Sequence, residues 1–283
     1  MSKKDVSIII GDLKKQITAL ETNIKGIVAR RVRKLPAEKE IKNHMQIVNS
    51  VLNQIFILFL INRIETEERG SKNEEALVQA RKLSAAVLSY WEEQVGREFD
   101  DLYESKRPIH QHMKNTDVFA HFKKIGFIID YFDLFYAEDT RWQASLLTIR
   151  TRFLITFCNA LNFKVLLKEL DPEYDTYVEN TEIIELLKTM FNETVQAFWN
   201  QNVKAEEFNI LEMNKALSLI QFFKNFTSVI EDRETHENFK KKYSVWKKYI
   251  EENSEEQKKT AEKQASKKEA DVRKPFRGRI PSS

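Results

Sequence analysis

Glycine and proline are scarce: six and five in 283 residues. A β protein needs Gly, Asn-Gly and Pro at short intervals to turn its hairpins, so this chain lacks the punctuation of one. The glycines are also dispersed, at Gly11, Gly26, Gly70, Gly96, Gly126 and Gly278. A phosphate-cradling loop needs clustered glycines so that backbone N–H groups can approach the anion, which excludes the Walker and Rossmann fingerprints. There is no G-x-S-x-G and no H-E-x-x-H. The single cysteine, Cys158, excludes an intrachain disulfide. Nothing therefore points to an oxidising compartment, and the expected location is the cytoplasm.

Long hydrophobic runs are absent too. The start, MSKKDVSIIIGD, holds only three adjacent Ile, too few for a signal segment. The most membrane-like stretch, Ile47 to Ile61, contains Asn49, Ser50, Asn53 and Gln54. It falls short of the roughly 20 apolar residues that a spanning helix needs, so no membrane span is expected. The net charge of +3 is concentrated at one end, where 253–283 carries nine Lys/Arg and five Asp/Glu. The body is near neutral, and a footprint for nucleic acid or anionic lipid would lie in that tail.

What is present is helix-forming sequence with ample core material, 42% apolar and 19 Phe. The reading is an all-α fold: a multi-helix bundle or irregular α-solenoid of about eight helices, with a disordered basic C-terminal tail. One helical domain covers 1–252, and 253–283 is the charged tail. No fixed repeat period is visible, and the tetratricopeptide and ankyrin signatures are absent.

Residues 4–34 read as a heptad helix. Ile10, Ile17 and Ile24 fall at a, and Val6, Leu13, Leu20 and Ile27 at d. Ile at a with Leu at d favours parallel two-stranded coils, so Ile10, Leu13, Ile17, Leu20 and Ile24 are candidate homodimer contacts. The same stripe can instead pack on the chain's own bundle, and this is the preferred reading. Arg30, Arg31, Arg33 and Lys34 end the helix, where cations complement its dipole. A second helix spans 37–69, with Ile55 to Ile61 apolar throughout and expected deep in the core. Gly70 closes it. Ser71-Lys72-Asn73-Glu74 matches a capping box led by Ser71, opening a third helix that can reach Tyr103.

The centre of the chain is the hairpin 116–170, two segments apolar on nearly every face joined at Ala137-Glu138-Asp139-Thr140. Helices of that kind must be covered on most sides. Asp130 and Asp133 interrupt the first, and Arg150 and Arg152 the second, so a buried Asp130–arginine pair is expected. Asp171-Pro172 suits a helix start. Further helices follow over 182–200 and 207–232, the latter with Leu211 on its apolar face. Phe239, Tyr243, Trp246 and Ile250 mark a last, outer helix.

Candidate chemistry is sparse. His110, His112 and His121, with Asp117, form the only cluster of metal-ligand type, yet loop histidines beside a helix start are commonplace. Asp130 and Asp133 could be read as catalytic carboxylates, but pairing with arginine accounts for them. No catalytic residue, cofactor or metal is assigned. Arg273, Lys274, Phe276, Arg277 and Arg279 form a basic end with one aromatic, suited to RNA by charge and stacking or to a protein. The expected function is a non-enzymatic helical scaffold or adaptor with protein partners. The alternatives are nucleic-acid association through the tail, and a helical-bundle enzyme near Asp130/Asp133 or the histidines.

Overall fold

The computed structural model describes residues 3–30, 35–99, 107–136, 140–204 and 208–272. Among them are ten helices and no strand: α1 Lys3–Arg30, α2 Ala37–Arg69, α3 Glu74–Val95, α4 Ile109–His112, α5 Asn115–Tyr136, α6 Thr140–Ala160, α7 Phe163–Lys168, α8 Tyr177–Lys204, α9 Ile210–Val229 and α10 Arg233–Val272. Eight of them have seven residues or more, so the all-α reading holds. Contacts divide the chain into two compact units, 1–194 and 195–283, with α8 running through the division.

The first unit is built on α2, α3, α5 and α6. α2 packs against α3, α3 against α6, α6 against α5, and α5 touches both α2 and α3. The inner faces of α3, α5 and α6 meet in an aromatic centre. Phe122 stacks on Phe157 with ring centroids 4.6 Å apart, lies 5.3 Å from Phe153 and 4.9 Å from Trp91. All four are fully buried, and such pairs add about 0.5–1.5 kcal/mol beyond area burial. α1 lies on the outer side of α2. Its apolar stripe goes there: Val6, Leu13, Ile17 and Ile27 are buried, and Ile10, Leu20 and Ile24 are half-buried. By length and composition α2 could cross a membrane, but 61% of its apolar window is buried inside the protein. That is the pattern of a core helix.

Asparagine pairs tie three of the junctions. Asn73, Asn162 and Asn209 are the N-caps of α3, α7 and α9, each accepting a backbone N–H three residues on. Each cap residue also donates its own N–H to a second, buried asparagine: Asn73 to Asn62 at 2.7 Å, Asn162 to Asn115 at 2.8 Å, Asn209 to Asn202 at 2.9 Å. An N-cap of this type contributes about 1 kcal/mol, and the second amide satisfies a donor that would otherwise be buried unpaired.

These caps correct several expected boundaries. Asn73, not Ser71, caps α3, because the asparagine is the residue that Asn62 can hold in place. α3 ends at Val95 rather than continuing to Tyr103, with Gly96 at φ 82 and the Asn159 amide donating to the Val95 and Glu98 carbonyls. The second arm of the hairpin is not continuous to Leu170, for the Asn115–Asn162 clamp breaks it into α6 and α7. Asp171-Pro172 forms a turn, in which the Asp171 carboxylate accepts from Glu173 N–H at 3.0 Å, and α8 starts only at Tyr177. The expected hairpin turn at 137–139 lies outside the described residues.

In the second unit α9 and α10 pack as a hairpin. Phe223 meets Phe239 edge-on at 4.6 Å, and Trp199 stacks on Trp246 at 4.8 Å. The core stripe of α9 is Met213, Ala216, Ile220, Phe223 and Phe226. Leu211, expected in the core, is 74% exposed, because it lies on the opposite side of the helix from Met213 and Ala216. The turn into α10 puts Glu231 at φ 57, while Asp232 caps α10 through Thr235 N–H at 3.0 Å. α10 shows no break at 252. Beyond its packed part, Glu255 and Glu256 stand three or four residues ahead of Lys258 and Lys259, a spacing that supports helix at about 0.2–0.5 kcal/mol per pair.

Candidate functional site

The polar groups singled out in the sequence are mostly committed to structural work. Asp130 is exposed, so the expected buried Asp130–arginine pair does not form. The residue one turn on takes its place: Asp133 pairs with Arg150. The reason is phase, since Asp130 lies on the α5 face turned away from α6. Arg152 reaches another element altogether, donating to Glu92 on α3 at 2.5 Å and to Ser89 at 2.9 Å. Arg97 approaches the second Glu92 oxygen at 3.2 Å. Glu92 gave no signal in the sequence, where one more Glu on an amphipathic helix reads as solvated.

The histidines do not converge. His110 donates to the Asn159 carbonyl at 3.1 Å, and His121 to the Asp117 carbonyl at 2.9 Å. His121 turns its ring toward Trp91, and burial lowers its pKa below the ordinary value, partly countered by the Asp117 carbonyl. His110 and His112 do line a cleft of about 500 Å³ with Asp117, Asn162, Glu169 and Thr176. One of its two carboxylates is occupied: Glu169 accepts from Thr176 at 2.7 Å and from Asn180 at 3.2 Å. Among the described residues no three His, Cys, Asp or Glu side chains stand together as a metal-ligand set. His44, unremarked in the sequence, is fully buried with its ring bonded to the Tyr90 carbonyl. Burial also pushes the Cys158 thiol far up, leaving it inert.

The concave apolar feature lies elsewhere. Between α1 and α2 runs a groove of about 520 Å³, lined by Ala19, Leu20, Phe56 and Ile57 with Gln16 and Asn53. The all-apolar run Ile55–Ile61 was expected to be wholly buried. Ile55, Leu58, Phe59 and Ile61 are, but Phe56 and Ile57 are only half-buried and Leu60 is 45% exposed. Seven consecutive apolar residues cover the whole circumference of a helix, and α1, α3 and α5 close only part of it. The open side continues onto α5. Phe56 lies 5.9 Å from Phe127, and Tyr131 stacks on Phe59 at 3.9 Å while donating its hydroxyl to the Phe59 carbonyl at 3.3 Å. Arg31, Arg33 and Lys34, and the tail residues Arg273, Lys274, Phe276, Arg277 and Arg279, lie outside the described residues.

A family model matches residues 2–254, nearly the whole of the first unit and the larger part of the second. The chain belongs to the TP0443 family. No curated protein matches it, and no solved structure does. The groove and the exposed aromatics of α5 both lie within the span shared with the family, whereas the far end of α10 lies beyond it.

Proposed function

We propose that this member of the TP0443 family is a helical adaptor that receives an apolar helix of a partner protein in the α1–α2 groove. One observation carries the reading: Leu20, Phe56 and Ile57, large apolar side chains, line an open groove between two helices instead of closing into the core. A helix laid between two helices buries its apolar stripe against both, and its anchors recur three or four residues apart. Gln16 and Asn53 supply polar groups at the rim, which orient a guest at little cost in burial. The heptad residues support this division of labour. Leu13 and Ile17 hold α1 onto α2, and half-buried Leu20 lines the groove.

The test is to isolate the partner with the full chain, identify and purify it, and measure its affinity for defined variants. Leu20→Asp and Phe56→Ala should weaken binding on the order of tenfold or more each, as anchor residues do. Ile9→Asp, on α1 outside the groove lining, should change it little. Equal affinity for wild type and both groove variants would discard the reading.

A second reading has its own observation. From Asn238 to Ile250 the chain carries five lysines and no acid, and Lys240, Lys241, Lys247 and Lys248 are exposed on α10. Such a face supports association with a polyanion such as RNA, in continuity with the basic tail. Retention on RNA that falls steeply with salt would favour it, and salt-insensitive or absent retention would dismiss it.

A further inference from the structure

The outer face of α5 is a second apolar surface, distinct from the groove. Ala120, Lys123, Phe127, Asp130, Tyr131 and Leu134 recur at spacings of three and four, so they share one side of the helix. The opposite side, with Phe122, Ile125, Ile129, Phe132 and Tyr136, is buried in the four-helix centre. On the outer side Phe127 is 55% and Leu134 77% exposed. Ala120, Lys123 and Asp130 are exposed as well. An apolar helix is stable in water only when covered, and among the described residues α2 reaches just one edge of the strip, through Phe56 and Phe59, leaving Phe127 and Leu134 largely exposed.

We propose that the strip is covered by the same strip of a second copy, α5 against α5 in antiparallel sense about a two-fold axis at Phe127. The pattern is self-complementary about that residue. A two-fold axis sets residues equally far before and after the centre opposite each other. Phe127 then meets Phe127 of the second copy, two open rings at the middle of the contact. Leu134, seven residues after the centre, meets Ala120, seven before it, so the most protruding side chain faces one of the smallest. Asp130, three residues after the centre, comes level with Lys123 and Lys124, four and three residues before it. This happens twice, once at each end.

Charge complementarity is what selects a second copy over an unrelated helix. Asp130 pairs with no cation among the described residues of its own chain, although Lys123 and Lys124 are nearby in sequence. Lys123 makes only a surface contact with Glu182, 3.1 Å long between two side chains that are both more than half exposed. Such a pair is worth little and exchanges readily for another. In a parallel pairing, or with a register shifted by a turn, Asp130 would face Tyr131 or a like charge. The antiparallel register centred on Phe127 brings Asp130 to the Lys123–Lys124 pair while Phe127 meets Phe127 and Leu134 meets Ala120. This interface borders the α1–α2 groove where Phe127 approaches Phe56, and it departs from the heptad helix as the dimer contact.

Sedimentation velocity of the full chain over a concentration series tests it. The wild type should show a monomer–dimer equilibrium. Phe127→Asp should raise the dissociation constant on the order of a hundredfold, as loss of a central aromatic does. Asp130→Lys should raise it by about tenfold, through repulsion at two symmetric positions. The exchange variant Lys123→Asp/Asp130→Lys should return to within a few-fold of wild type, because it restores both pairs in reverse. All three sites are exposed, and circular dichroism with thermal melting confirms that each variant folds. A wild type that stays monomeric overturns the proposal, as does a dimer unaffected by Phe127→Asp. Growth beyond the dimer, or failure of the exchange variant to recover when Asp130→Lys is weakened, overturns the two-fold register.

Discussion

Replacing Arg152 by methionine isolates the most deeply placed charge pair in the first unit. Glu92 has a side chain only 5% exposed, held by Arg152 at 2.5 Å from below and by Arg97 at 3.2 Å from the edge. Arg152 also donates to Ser89 and to the Ala85 carbonyl at 3.3 Å, so its guanidinium ties α6 to α3 by three contacts. Breaking one side of a buried pair strands the other charge, at about 3–5 kcal/mol. Arg97 remains, but its side chain is 77% exposed and largely screened by water. The expected cost is therefore near the lower limit, about 3 kcal/mol. For a unit of this size that is a fall in melting temperature of roughly 6–12 °C. Calorimetry or urea unfolding followed by near-ultraviolet circular dichroism reads it. The double variant Glu92→Met/Arg152→Met should recover most of the loss, because no charge is then left in the interior. If Arg152→Met costs less than about 0.5 kcal/mol, or if the double variant is no better than the single one, Glu92 is solvated in practice and the argument fails.

Three further outcomes follow from named residues. Asp130→Ala should leave the melting temperature of the monomer within error, whereas Asp133→Ala, which unpairs the partly buried Arg150, should cost about 1–2 kcal/mol; equal effects in parallel melts would contradict the assigned pairing. Glu231→Gly should stabilise the second unit by roughly 0.5–1 kcal/mol in urea unfolding, since φ 57 is strained for glutamate and natural for glycine; a loss would show that the Glu231 side chain contributes more than its backbone costs. The lowered pKa of His121 means that the unfolded chain takes up this proton first as pH falls. Stability contributed by the neutral ring is thus complete above about pH 6.5 and declines below it, down to the depressed folded pKa. His121→Gln should flatten that acid slope, and an unchanged slope would remove His121 as its origin.

The helical class was legible because it rests on local facts: scarce glycine and proline, and apolar residues at helical spacing in nearly every segment. The bounds of α2 were legible for the same reason, with Pro36 before it and Gly70 after it at φ 69. The α1 stripe was equally plain, since Val6, Leu13, Ile17 and Ile27 recur in phase whether their cover is another chain or α2. What the pattern could not say is which cover it was, because both present the same apolar surface.

Tertiary structure decided everything that depends on which side of a helix its neighbours occupy. Ile55–Ile61 is apolar at every position, so the sequence carries no mark of the open side on which Phe56 and Ile57 form the groove wall. Asp130 and Asp133 are three residues apart, and that small offset in phase turns one to water and the other to Arg150, because α6 packs on only one edge of α5. Glu92 looked like a surface residue until Arg152 arrived from sixty residues away. The asparagine caps combine both levels. Any of Ser71, Asn73, Asn162 or Asp171 can start a helix by its own chemistry, and the buried amides of Asn62 and Asn115 select Asn73 and Asn162 as the residues that do. A side chain's capacity to pair is a property of its chemical type, but its partner is set by packing between segments far apart in the chain.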